Sequence, residues 1–453
     1  MTVPVINPTT GEKLQDSPVL DAVAQEATLV RAREAYSSWK HTSYAQRAEV
    51  LKAVAAKLRE NVETLAPLMT LEMGKPIKEA RGEVIKAAWC AEHYAEQAES
   101  YLSNLTLESD ASHSYVQYLP LGTVLGILPW NAPFWLAFRF CAPALMAGNT
   151  CLMKHDLHVP ASAQAIADLF EQVGAPVGIM QNMPMDNAAI ESVIRDPRVQ
   201  AVSLTGSEKA GGAVAAIAGS EIKPVVLELG GSDPCIVLAD ADLEKAADTI
   251  TLSRIINAGQ SCIAAKRIIV EASIYDQLLE MLKERLARLK LGDPAEDATD
   301  VGPMARDDLR QNLHRQVTET VAAGARCLLG GEVPEGAGFF YPVTLLADVK
   351  PGMTAAVEET FGPVAVVMKA ADADEAIALA NDSRYGLAAG VWTERSRGEQ
   401  LARRLEVGQV AVNGIVKTDP RLPSGGIKRS GLGRELGPQG IHEFVNAQQI
   451  WLG

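Results

Sequence analysis

Long apolar runs are missing from this sequence. Nowhere do about 18 consecutive apolar residues appear, so no membrane-spanning helix is expected. Paired cysteine motifs are missing as well. Cys90, Cys141, Cys151, Cys235, Cys262 and Cys327 contain no CxxC pair. That removes zinc-ribbon and disulfide-framework readings and favours a reducing compartment. The seven histidines form no HxxxH pair, and His155 and His158 read as lacking cysteine or carboxylate company. No metal site is expected. Positive charge is in deficit: the formal net charge is −14. A nucleic-acid or anionic-membrane partner is therefore not expected. Met1 to Pro8 has no basic start and no apolar run, so a cytoplasmic protein is expected rather than a secreted one. No GxGxxG occurs, so the ordinary dinucleotide fingerprint is absent.

What is present is a long, conventional globular sequence. At 453 residues, two or three domains are expected. The first hundred residues read mainly as helices. Ser43 and Gln46 form a capping-box pattern before Val50, Leu51, Val54 and Leu58, and a long helix is expected from about 75 to 101. Residues 113–118 alternate like a strand, and 122–128 read as a buried strand. Residues 134–146 read as an apolar helix. Strands and helices then alternate from Thr150 onward, which predicts a parallel α/β sheet. A second α/β run follows Gly230-Gly231, and residues 443–451 look extended.

Three short segments carry chemistry. Cys262 lies in Gly259-Gln260-Ser261-Cys262, Glu228 in Leu227-Glu228-Leu229-Gly230-Gly231, and Asn131 ends Pro129-Trp130-Asn131. A thiol, a carboxylate and a side-chain amide are the nucleophile, base and oxyanion donor of acyl transfer through a thioester. Alone, Cys262 reads as one more small buried hydrophobe, as the other five cysteines do. Nearby, Lys154 ends a strand, and Thr205-Gly206-Ser207 opens a helix whose N-terminus could hold a pyrophosphate. A plain helix cap explains that turn equally well.

In this order, the segments resemble the aldehyde dehydrogenase superfamily, and the resemblance runs from Asn7-Pro8 to the C-terminal tail. It implies an α/β fold with a dinucleotide-binding domain (1–108 and 121–229) and an α/β catalytic domain (230–425). A small β extension for oligomerisation (109–120 and 435–453) implies a homodimer or homotetramer. Cys262 would attack an aldehyde, Asn131 would stabilise the oxyanion, and Glu228 would activate the water that releases the acid. Trp130, Lys154, Leu157, Gly206, Ser207, Glu359 and Phe361 would line the cofactor site. Leu157 takes the place that usually reads the ribose 2′ position, and neither binds a hydroxyl nor repels a phosphate. NAD and NADP both stay open.

For the substrate, the resemblance points to Trp135, Arg139, Thr418, Ala132 and Ser424. Arg139 and the phrase from Asn413 to Pro423 are similar to succinate-semialdehyde dehydrogenases, especially short bacterial and cyanobacterial forms. A guanidinium pairs bidentately with carboxylate, so a semialdehyde with a distal carboxylate is the expected small-molecule substrate. An internal ion pair is the alternative use of Arg139. Ala132 and Ser424 replace ring-bearing residues of the family, which implies a wider tunnel and bulkier aldehydes as a second reading. A CoA-acylating enzyme is a rival that has no need of Glu228. A cysteine hydrolase using His314 or His442, and a non-catalytic relative, are further rivals.

Overall fold

The structure, a computed structural model, describes residues 3–453. The chain opens with a hairpin of β1 (Val3–Ile6) and β2 (Lys13–Ser17). Four helices follow: α1 (Ala22–Trp39), α2 (Tyr44–Glu60), α3 (Val62–Met73) and α4 (Ile77–Tyr101). Next come β3 (Leu105–Thr106), β4 (His113–Pro120), β5 (Thr123–Leu128), α5 (Pro133–Met146), β6 (Thr150–His155), α6 (Pro160–Gln172) and β7 (Met180–Asn182). Then follow α7 (Asn187–Arg195), β8 (Val199–Thr205), α8 (Glu208–Ser220) and β9 (Val225–Glu228). The second half contains β10 (Pro234–Val237), α9 (Leu243–Ile255), β11 (Arg267–Glu271), β12 (Arg326–Leu329), β13 (Thr344–Ala347) and β14 (Val364–Ala370). It continues with β15 (Tyr385–Gly386), β16 (Ala388–Trp392), β17 (Gln409–Val412), β18 (Ile427–Lys428), β19 (Gly431–Leu432) and β20 (Val445–Leu452).

These strands build two large sheets. One has the order β19-β9-β8-β5-β6-β7, parallel except for β19. The other has the order β12-β13-β14-β11-β10-β16-β17, parallel except for β12. The fold is α/β, as expected. β5 and β6 are buried along their whole length, which is why they read as unbroken apolar runs rather than alternating ones. A three-stranded antiparallel sheet, β20-β4-β3, joins the middle of the chain to its C-terminus. No helix among the described residues is long and apolar enough to cross a membrane.

Local rules place several helices. Ser43 and Gln46 close the expected capping box at the start of α2. For α5 and α6 the local rule fails, because Ala132 and Val159 have no side chain that can cap. Carboxylates from the preceding helices do the work instead. Glu83 of α4 accepts from the backbone N–H groups of Phe134 (2.9 Å) and Trp135 (3.2 Å). Glu72 of α3 accepts from Ala161 N (2.7 Å) and Ser162 N (3.0 Å). Glu83 also pairs with buried Lys75. Every residue of α5 is buried, so water cannot satisfy its first turn.

Glu83→Ala should therefore be costly. It strands two buried N–H groups and the Lys75 ammonium, and breaking a buried pair from one side costs about 3–5 kcal/mol. Urea unfolding should show a lower midpoint for Glu83→Ala than for substitution of exposed Glu96 on the same helix.

Candidate active site

The C-terminal ends of β5, β6, β8 and β9 lie on one edge of the first sheet, the usual ligand side of an open parallel sheet. They present Asn131, Lys154, Ser207 and Glu228. Cys262 arrives from the second sheet, on the loop between α9 and β11. That loop is backbone-strained. Asn257 (φ 55), Ala258 (φ 52) and Gly259 (φ 74) are three consecutive left-handed residues. Each non-glycine residue there costs about 1–2 kcal/mol. Gly259 has a further constraint: a Cβ would run into Gly362 O. The turn is held by side chains. Asn257 N donates to Glu79 Oε2 (2.7 Å), and Asn257 Nδ2 donates to the carbonyls of Asn131 (2.9 Å) and Gln260 (3.1 Å). Gln260, fully buried, accepts from Ala305 N at 2.9 Å.

A cavity of about 480 Å³ opens beside the thiol. Cys262, Asn131, Ala132, Trp135, Arg139 and Thr418 all line it. Asn131 and Arg139, two turns apart, therefore share one tunnel. Asn131 Nδ2 donates to Gln260 O at 3.1 Å, which points its amide toward the nucleophile loop. Lys266, buried four residues after Cys262, donates to Cys262 O and pairs with Glu359 Oε1 at 3.0 Å. Glu359 in turn accepts from Gly231 N at 3.2 Å. A Cβ on Gly230 would collide with the Glu359 carboxylate. One chain of contacts thus ties the thiol loop to the turn after Glu228. Burial pushes the Cys262 thiol up to about 11, against the pull of Lys266 and Arg139.

Two substrate expectations need correction. Arg139 does not face the tunnel as an unpaired guanidinium. Its Nη2 lies 2.6 Å from Glu435 Oε2 and 3.3 Å from Glu228 Oε2, all three side chains being buried. The approach to Glu435 is an ion pair outside hydrogen-bonding angles, and Glu228 Oε1 has no protein partner. Desolvation is costly enough that a buried arginine on an apolar helix needs such partners. Burial raises the Glu228 carboxyl to about 8, with Arg139 opposing and Glu435 adding to the rise. Ser424 also departs from expectation. It does not line the cavity; it sits behind Arg139, bonded to Gln409 Nε2 at 3.2 Å.

The dinucleotide positions lie around the same sheet edge. Ser207 caps α8 by accepting from Ala210 N (3.3 Å). Thr205 Oγ1 and Glu208 Oε2, on either side, are buried without a protein partner. Lys154 is 8% exposed, and burial lowers its ammonium; Asp156 and Asp186 act on it only as more remote charges. The Thr205 hydroxyl, unsatisfied beside the N-terminus of α8, can donate to a phosphate-bearing ligand there; the Glu208 carboxylate oxygen cannot. Trp130 meets Phe361 edge-on at 5.9 Å. Leu157 is half-buried. Asp156 is turned onto His158, accepting at 2.6 Å from Nδ1, and lies 4.0 Å from Arg306. His158 thus has the carboxylate company that the sequence reading denied it.

Sequence reasoning missed Glu435, Lys266, Asn257 and Glu79. Lys266 had a faint signal, a lysine inside the apolar lead into a strand. Glu435 had none, since its relation to Arg139 exists only in three dimensions.

The chain is similar to many characterised proteins over its full length. The model of the aldehyde dehydrogenase family matches residues 1–450. A probable succinate-semialdehyde dehydrogenase [NADP(+)] from Synechocystis sp. is 47% identical over 453 residues, covering 100% of both chains. A succinate-semialdehyde dehydrogenase [NADP(+)] from Mycobacterium avium is 46% identical, covering 100% of this chain and 97% of the relative. Among solved structures, a succinic semialdehyde dehydrogenase from Streptococcus pyogenes, in complex with NADP+, superposes with a TM-score of 0.97. It is 34% identical and 99% of each chain is covered. Lactaldehyde dehydrogenase from Escherichia coli gives 0.97 at 34% identity, covering 100% of this chain and 96% of that one.

Because the Cys262 thiol is held high, its alkylation by iodoacetamide should accelerate about tenfold per pH unit through neutrality. Peptide mass spectrometry should find no plateau below about pH 10, given a thiol near 11. A rate already flat at pH 8 would contradict this electrostatic picture.

Proposed function

The chain belongs to the aldehyde dehydrogenase family, and we propose that it oxidises succinate semialdehyde, or a close semialdehyde, to the dicarboxylic acid. The observation that carries this reading is Cys262 and Asn131 on the wall of one cavity, with Glu228 buried against Arg139 nearby. The Synechocystis and Mycobacterium avium relatives, named as succinate-semialdehyde dehydrogenases, support the substrate class.

Cys262 adds to the aldehyde carbonyl as the thiolate, its proton having been lost to solvent, and the oxygen that becomes anionic is met by Asn131 Nδ2 and the Cys262 backbone N–H. A nicotinamide dinucleotide, when bound, would supply the hydride acceptor needed for the adduct to become a thioester. Lys154 and the N-terminus of α8 would hold its ribose and phosphates, and Glu359, on moving from Lys266, its second ribose. Glu228 Oε1, free of protein partners, takes a proton from the attacking water, and the acid leaves Cys262. CoA as the acyl acceptor is disfavoured because a base at Glu228 would have no task.

NADP is the proposed preference. Leu157 offers no carboxylate to repel a 2′-phosphate, and Asp156 is hydrogen-bonded to His158 and faces the Arg306 guanidinium at 4.0 Å. Residues 1–108 and 121–229 would hold the cofactor, and 230–425 the nucleophile. Residues 109–120 and 435–453 would join subunits of a cytoplasmic homodimer or homotetramer, since β20 is the open edge of its sheet. Light scattering at micromolar concentration should therefore find no monomer.

Absorbance of reduced nicotinamide, followed with a panel of semialdehydes and then with CoA added, tests the reaction. Cys262→Ala should abolish oxidation while quenching of protein fluorescence still reports NADP binding, tighter than NAD. Glu228→Gln should slow turnover by about 10²–10⁴-fold and leave a burst. Asn131→Ala should lose roughly 10²–10³-fold. Glu228 works ionised, and its carboxyl is raised to about 8. Deacylation-limited turnover should therefore climb as pH rises through about 8 and fall away below it. Unchanged turnover in Cys262→Ala would end the thioester mechanism.

A further inference from the structure

The cavity is ringed by cations, and all but one of its buried or half-buried cations already have a carboxylate. Buried Lys75 is paired with Glu83 and buried Arg139 with Glu435 and Glu228, while exposed Lys78 is paired with Asp300 at 2.9 Å. Lys417 is exposed at the rim. Lys86, half-buried on α4 and lining the tunnel, makes no salt bridge among the described residues. Its Nζ donates to Thr418 Oγ1 at 2.8 Å and stands 4.1 Å from the centroid of the Trp135 ring. These are a neutral acceptor and a π-face, and neither cancels its charge.

We propose that Lys86, with the Thr418 hydroxyl beside it, is the site that takes the distal carboxylate of the substrate. The inference rests on the semialdehyde reading and changes which residue selects the substrate. A carboxylate entering the tunnel finds in Lys86 a cation that no protein carboxylate pairs directly, with Glu83 and Asp419 acting on it only as more remote charges. At Arg139 it would compete with Glu228 and Glu435, and would draw the charge away from the base. Thr418 Oγ1 accepts from Lys86, so its own proton is left to donate to a second carboxylate oxygen. Trp135 then forms an apolar wall on which the substrate methylenes rest. Burial and the neighbouring charge of Arg139 lower the Lys86 ammonium to about 8; a bound carboxylate reverses that tendency.

The test compares kcat/KM for succinate semialdehyde with that for butanal, a neutral aldehyde of the same length, in wild type, Lys86→Met, Lys86→Arg, Thr418→Val and Arg139→Leu. A second measurement is calorimetric binding of succinate to Cys262→Ala with and without Lys86→Met. The semialdehyde-to-butanal ratio should fall at least about tenfold in Lys86→Met, as expected when a charged partner is lost from a desolvated site. Thr418→Val should lower it less, Lys86→Arg should keep most of it, and succinate binding should be lost with Lys86→Met. A wild-type preference that survives Lys86→Met, or collapses only in Arg139→Leu, overturns the subsite and leaves the semialdehyde reading intact. No wild-type preference, together with no succinate binding, overturns both.

Discussion

One carboxylate, Glu83, holds together the wall on which this chemistry depends. α5 follows Asn131 directly and carries Trp135 and Arg139, yet it starts at a residue that cannot cap it and is buried throughout. An apolar helix in that position has unsatisfied donors at its first turn and nothing in its own sequence to meet them. Glu83 meets them from α4, and buried Lys75 pairs with its carboxylate, so the anion that caps α5 has a cation of its own. The same helix, α4, supplies Glu79 to the strained nucleophile turn and Lys86 to the tunnel. One rigid element therefore fixes the oxyanion side, the nucleophile side and the far wall against each other.

The second constraint is electrostatic. Arg139 is a cation locked into apolar surroundings, and two carboxylates are drawn in to meet it. The arrangement is lopsided: the tighter approach is to Glu435 and the looser one to Glu228. The looser partner is the one that has to release and recapture a proton. Glu435 also accepts from Ser203 Oγ at 3.3 Å, so it is anchored to β8 while Glu228 remains half-satisfied. A base that is neither fully neutralised nor free suits a group that must change protonation in every cycle.

The chemistry was readable in the sequence where it depended on local turns. Glu228 sits before Gly230-Gly231, Asn131 after Pro129-Trp130, and Cys262 after Gly259; a side chain at Gly230 would collide with Glu359, one at Gly231 with Asp233 and Leu387, and one at Gly259 with Gly362. The α2 cap and the alternation in β4 were equally local. What the sequence concealed was everything requiring a partner remote in the chain. Ala132 and Val159 give no hint that Glu83 and Glu72 cap the helices after them. An arginine on an apolar helix announces that it needs an anion, but not whether a substrate or Glu435 provides it. Ser424 looked like a tunnel residue because the matching segment of the family lines its tunnel, whereas here the chain places it behind Arg139. Asn257 and Ala258 carry no sign of a left-handed conformation, because packing imposes it.

The pairing of β4 with β20 has a consequence for how the protein comes into being. Gln117 Nε2 bonds Gln448 Oε1, 331 residues further along the chain, and Asn149 Nδ2 bonds Phe444 O, 295 residues away. A ribosome adds roughly 5–20 residues per second, so the N-terminal half waits on the order of tens of seconds before its last strand exists. Arg139 waits as long for Glu435. During that interval β4 has an open edge and the arginine lacks its tighter partner. Synthesis of residues 435–452 is therefore what both closes the sheet and completes the charge balance of the active centre.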